Sequence, residues 1–197
     1  NYAQGYFEYD SKKSGGVTVS HLRFGPDPIR APYFISDNEA SFLACHQVSF
    51  IDRFDLLKYS RPGSVFLLNT FATPEEVWDT LPVEMQTDMI AKRIRFYIID
   101  AYKVAEADGM GNRINTIMQT CFFAISGVLP ADEAIAAIKT SIQETYGSKG
   151  EKVVQKNFEA VDQAVANMHK VEYPKVVTGM HNRRLPVPAE APIFVRE

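Results

Sequence analysis

Two short apolar runs constrain this fold more than any other feature: Val65-Phe66-Leu67-Leu68-Asn69 and Phe96-Tyr97-Ile98-Ile99-Asp100. Each reads as a strand buried on both faces. After the first, Thr73-Pro-Glu-Glu has the makings of a helix start: a capping threonine, proline at the first position and acids in the first turn. After the second, residues 101–108 read as a short helix closed by Gly109. Residues 41–46 form a third compact apolar run. Strands alternating with helices predict an α/β chain, a three-layer αβα arrangement around a mostly parallel sheet.

The remaining elements follow from pattern and punctuation. Residues 3–9 and 17–24 read as short strands flanking a Ser-Lys-Lys-Ser-Gly-Gly turn. Pro26, Pro28 and Pro32 break the chain before a further expected strand at 33–36. Phe50, Ile51, Phe54 and Leu57 predict a helix over 48–59, and Pro62-Gly63 a turn before the 65–69 strand. Helices are expected over 82–94, over 114–129 as a buried element, and over 132–146 with Ile135, Ile138, Ile142 and Tyr146 in one stripe. A long helix over 151–171 should turn Val154, Phe158, Val161, Val165 and Met168 inward. Residues 180–197, with Pro186, Pro188 and Pro192, read as an extended arm. The expected organisation is one domain over 1–173 and a linker or arm over 174–197 that leads to the next domain.

Composition excludes several functions. A net charge of −3 gives no general pull toward nucleic acid, so any basic site must be local. No signal peptide or membrane-spanning run is visible, and a membrane partner is not expected. The start without methionine reads as excision from a longer polypeptide. Cys45 and Cys121 sit in apolar runs and read as two buried thiols of a reducing, cytoplasmic compartment; a disulfide needs a geometry that sequence does not show. Two cysteines fall short of the roughly four that an iron–sulfur cluster needs. No Gly-Asp motif with a downstream asparagine is present to hold the metal of thiamine diphosphate. No catalytic residue and no metal ligand is assigned.

The candidate binding residues lie at the start of the chain. Ser11, Lys12, Lys13 and Ser14 cluster donors and positive charge beside Gly15 and Gly16, which let the backbone approach a ligand closely. Such a set suits a phosphorylated ligand, although on local chemistry alone a turn whose lysines face water is the preferred reading. On the following strand, alternation puts His21 and Arg23 on one face and Ser20 on the other. His21 and Arg23 either bind one anion or pair with acids at an interface.

Five runs, YDSKKSGGVTVSHLRFG, FLACH through LLNT, FYIIDAYKVA, GNRINTIMQTCFF and ETYGSKGEKVVQKN, resemble in order the third, gamma-type domain of pyruvate:ferredoxin (flavodoxin) oxidoreductase. The resemblance covers nearly the whole chain. It implies one domain of a large homodimeric enzyme that converts pyruvate and coenzyme A to acetyl-CoA and CO2. Thiamine diphosphate, Mg and 4Fe–4S clusters are implied in other domains of the same polypeptide, with ferredoxin or flavodoxin as electron acceptor. It implies coenzyme A as the ligand of Ser11, Lys12, Lys13, Ser14, Gly15 and Gly16, with Ser20, His21 and Arg23 as weaker candidates. The family usually places a strand and a glycine-rich loop ahead of the point where this chain begins. No cofactor is expected on the chain alone, which by itself should be inactive.

Other motifs have simpler readings. Arg30 is expected in an interface salt bridge. His46 and Asn69-Thr70 follow strands at their carboxyl ends, where ligands of open α/β sheets bind, yet each also serves as an interface or capping group. Gly109-Met-Gly-Asn-Arg-Ile-Asn115 lacks the phosphate-loop lysine and reads as a helix end with a new cap at Asn112. Lys149 and Lys152 read as a solvated turn, and Phe122-Phe123 as core. Two functions remain: a domain that binds coenzyme A and covers the thiamine site, or a structural domain holding catalytic domains and dimer together without ligand.

Overall fold

The computed structural model describes residues 2–9, 16–184 and Pro192. Strands β3 (Ala40–Cys45), β4 (Ser60–Asn69) and β5 (Arg95–Ile99) run parallel, and β6 (His169–Val171) closes one edge antiparallel to β5. Period-two alternation sends the side chains of β4 and β5 into two cores. Phe66, Leu68, Phe96 and Ile98 face a cluster with Trp78, Leu81, Met85 and Met89. Leu67 and Ile99 face the opposite cluster with Ile117, Cys121, Ala160 and Ala164. One face is therefore covered by helix α1 (Val83–Lys92) and the irregular segments beside it. The other is covered by α2 (Ala101–Ala107), α3 (Asn115–Ser126) and α5 (Glu151–Ala166). The expected αβα layering and mostly parallel sheet are present. Helix α4 (Ala131–Tyr146) joins through a third cluster of Ile138, Ile142, Val154 and Val161.

A separate antiparallel ribbon, β1 (Tyr2–Tyr9) and β2 (Thr18–Gly25), pairs from Tyr2↔Gly25 to Tyr9↔Thr18. It is the expected pair of strands, built as an arm.

Several expectations are corrected. No strand forms at 33–36, whose backbone bends to serve the arm. The helix expected over 48–59 is two short 3-10 turns, Val48–Phe50 and Leu56–Tyr59. Between them the Asp52 carbonyl accepts from Arg184 N at 2.9 Å, a tertiary bond in place of a helical one. Pro62-Gly63 lies inside β4, not before it; Gly63 at φ 74° makes an irregularity where the β3–β4 register shifts. Glu76 Oε2 accepts from the Thr73 N–H at 3.4 Å and from its hydroxyl at 3.0 Å, but only a 3-10 turn, Val77–Thr80, follows.

The last helix ends at Ala166, not 171. Asn167 turns back onto Gln163, and 169–171 then satisfy the free edge of β5. Val165 consequently points to solvent. Helix α3 stops at Ser126 because Gly127 adopts φ 73°.

The segment 174–184 is bonded along α1. Gln86, fully buried, accepts from Thr178 N and Gly179 N, both at 2.8 Å, and donates to Trp78 O at 2.7 Å. Arg183 pairs with Asp55 at 3.0 Å and His181 with Asp52 at 3.1 Å. Residues 185–191 and 193–197, the bulk of the expected arm, lie outside the described residues.

Candidate functional site

Ser11, Lys12, Lys13, Ser14 and Gly15 lie outside the described residues. The strands on either side of them are β1 and β2. Gly16 and Ser20 are exposed, and Ser20 stands opposite Phe7 on one ribbon face. His21 and Arg23 lie on the other face, against Tyr6 and Gln4, and both are engaged. His21 is buried; its Nδ1 accepts from Ile35 N at 3.1 Å, so its Nε2 carries the proton toward Glu8 Oε2 at 3.3 Å. Its ring packs edge-on to Phe34 and Tyr59. Arg23 donates to Pro32 O, Phe34 O and Glu39 Oε2 at 3.3, 3.0 and 3.3 Å. These two side chains tie the arm to the 31–39 segment ahead of β3 and to Tyr59 ahead of β4. The arm is thus seated at the amino-terminal edge of the sheet. On the opposite ribbon face Phe24 packs on Phe122 with centroids 5.6 Å apart, while Phe7, Tyr9 and Leu22 further along are exposed.

The other motifs resolve simply. Arg30 is exposed, with no ion pair among the described residues. Gly109 ends α2 as expected, but α3 is entered through Ile114 and not through a cap at Asn112. Arg113 bonds back to Met110 O at 3.1 Å. Lys149 lies over the Tyr146 ring. Phe122 and Phe123 pack on Phe42 and on the third cluster.

A cleft of about 530 Å³ opens at the other, carboxyl-terminal edge of the sheet, where β3, β4 and β5 end. Its floor is set by Asn69, nearly fully buried. Asn69 Nδ2 donates to His46 O at 3.0 Å, and Asn69 Oδ1 accepts from Ala101 N at 2.9 Å. One side chain thereby couples the loops after all three parallel strands. Thr70 Oγ1 accepts from Ala72 N at 3.2 Å and Asp100 caps α2 by accepting from Lys103 N at 3.0 Å. His46 stands on the rim with its pKa lowered by desolvation, which favours the neutral imidazole. Phe71 and Tyr102 also line the cleft, 84% and 45% exposed. Of these residues, His46 and Asn69-Thr70 are visible in sequence as groups at strand ends. Phe71 and Tyr102 are not, because an aromatic after a strand reads as core until its exposure is known.

Cys45, next to His46, is buried, and burial pushes its thiol up to about 11 against a weaker opposing bond to Gln47 O. Cys121 is pushed up to about 12 by burial. The two sit in cores on opposite faces of the sheet, so they do not converge on one cluster. Among the described residues no three His, Cys, Asp or Glu side chains come together to hold a metal ion. No helix among them is long and apolar enough to cross a membrane.

These features define a class: an αβα-layered domain with a ligand-sized cleft at its strand ends and a β-arm at the opposite edge. The model of the pyruvate ferredoxin/flavodoxin oxidoreductase family matches residues 1–167, and the chain belongs to that family. It is 52% identical over its whole length to a putative pyruvate-flavodoxin oxidoreductase of Synechocystis and 53% identical over 99% of its length to that of Rhodospirillum rubrum. It is 47% identical over its whole length to the pyruvate:ferredoxin oxidoreductase of Moorella thermoacetica. The chain spans only 16–17% of the length of these relatives. In fold it is similar to the pyruvate oxidoreductase subunit PORC of Thermotoga maritima, with TM-score 0.64, 16% identity, and 87% of this chain and 82% of that one covered.

Proposed function

We propose that this chain is the domain of a pyruvate:ferredoxin or flavodoxin oxidoreductase that helps hold coenzyme A and covers a thiamine diphosphate site built by other domains of the same polypeptide. The observation that carries this reading is the arm. It is anchored on one face by His21 and Arg23, and its two strands are joined by the segment with Ser11, Lys12, Lys13, Ser14 and two glycines. An anchored ribbon fixes the two strands that this segment joins, and the segment's sequence carries the cations and backbone donors that a pyrophosphate and a 3′-phosphate need. In this arrangement Gly16 and Ser20 are open to ligand, whereas His21 and Arg23 act by positioning. The relatives' names support pyruvate as substrate and flavodoxin or ferredoxin as acceptor. Thiamine diphosphate, Mg and 4Fe–4S clusters then belong to other domains of a homodimeric cytoplasmic enzyme, and the chain by itself is inactive.

The test is steady-state kinetics of the intact oxidoreductase with Lys12→Ala/Lys13→Ala. A charged hydrogen bond contributes about 1.5–3 kcal/mol, so the KM for coenzyme A should rise at least about tenfold while the KM for pyruvate holds. An unchanged KM for coenzyme A refutes the assignment.

One observation favours a second reading, a structural domain that contacts other domains without binding ligand. Phe7, Tyr9, Leu22, Tyr33 and Phe34 are exposed on and beside the arm, an apolar surface of the kind that interfaces cover. In that case the lysine substitutions alter assembly of the enzyme and leave coenzyme A affinity unchanged.

A further inference from the structure

We infer that the cleft at the carboxyl ends of β3, β4 and β5 is a second binding site, for an uncharged planar heteroaromatic group of the nucleoside class. The site is separate from the arm, which is seated at the amino-terminal edge of the same sheet. It does not rest on the coenzyme A reading.

Its volume, about 530 Å³, is that of a small-molecule site. Its position is where open α/β sheets take ligands. Its floor is rigid, since both polar atoms of the buried Asn69 amide are committed to holding the loops after β3 and β5. The lining then selects the ligand. Asp100 and Glu106 outweigh Lys103, so a phosphate or carboxylate meets net negative charge. Phe71 and Tyr102 present aromatic surface that packs on no other aromatic ring among the described residues. Such faces stack on a base, and because every base has a π-face the attraction needs no charge. The His46 carbonyl accepts from Asn69, but its ring nitrogens make no hydrogen bond among the described residues. A neutral imidazole offers one donor and one acceptor, the complement of a heterocycle edge.

The experiment is titration of the intact oxidoreductase with adenosine by calorimetry, with the melting temperature of each variant checked alongside. Adenosine carries no phosphate for the arm's cations to hold, and the Phe71 and Tyr102 variants assign the signal to the cleft. Binding is expected at millimolar concentration or tighter, weakened at least about fivefold in Phe71→Ala and in Tyr102→Ala. Both rings are solvent-exposed, so the variants should fold like the parent. Inorganic phosphate should not compete. The inference is overturned if adenosine does not bind, if it binds both variants as tightly as the parent, or if phosphate displaces it. Failure of Lys12→Ala/Lys13→Ala to alter coenzyme A affinity leaves this result untouched, so the two readings fail separately.

Discussion

Replacing Asn69 with alanine tests whether one side chain assembles the cleft. The substitution deletes two hydrogen bonds, to His46 O at 3.0 Å and from Ala101 N at 2.9 Å. Their consequences differ. His46 is on the rim, so water replaces the amide at its carbonyl at little cost. Ala101 is fully buried at the start of α2, and its N–H is left without a partner, which costs about 1–3 kcal/mol. Adding about 0.5–1 kcal/mol for the net loss at His46 gives about 1.5–4 kcal/mol in all. For a chain of this size each kcal/mol lowers the melting temperature by about 2–4 °C, so a fall of roughly 3–16 °C is expected. Urea unfolding gives the free energy, and hydrogen exchange at Ala101 shows whether the loss is local. Asn69→Asp sharpens the test: it keeps an acceptor for Ala101 but sets a carboxylate oxygen against the His46 carbonyl, so it too should be destabilised at neutral pH. A loss below about 1 kcal/mol for alanine, or parental stability for aspartate, refutes the assignment of Asn69 as the bridge between loops.

Two further outcomes follow from the same bookkeeping of buried polar atoms. Gln86→Leu strands Thr178 N, Gly179 N and Trp78 O. It should cost about 3–5 kcal/mol and free the amides of 178 and 179 to exchange, whereas protected amides would show the segment is held by its neighbours. Asp108, at the carboxyl end of α2, has a carboxyl oxygen buried without a partner among the described residues, and its pKa is raised by desolvation and then by Glu159. The native state then binds more protons than the unfolded chain above pH 3.8, so stability falls as pH rises through that window. Asp108→Asn should raise the melting temperature at pH 7 and lose the advantage below about pH 4; a variant no more stable at pH 7 contradicts the assignment.

The legible parts of the fold were those that short-range chemistry dictates. β4 and β5 announce themselves as apolar runs buried on both faces, and α1, α2 and α4 by caps and stripes. The failures share a cause. Residues 48–59 carry a helical spacing of apolar groups, yet Asp52 O is taken by Arg184, over 130 positions away. The stretch 167–171 continues a helical stripe, yet β5 has a free edge that 169–171 satisfy. In both, a distant partner outcompetes local propensity, and sequence periodicity carries no record of that partner.

The sequence by itself determined the layered α/β class, the two-strand arm and the resemblance to the oxidoreductase family, because these depend on local patterns and motif order. Whether a polar or aromatic residue is free to meet a ligand was decided only by tertiary structure. His21 and Arg23 look available on their strand, yet Glu8, Glu39 and the 31–35 backbone occupy them. Phe71 and Tyr102 carry no mark in the sequence, yet they stand open at a cleft. Availability is a property of what surrounds a side chain in space. For these residues the surroundings come from loops that only the sheet brings together.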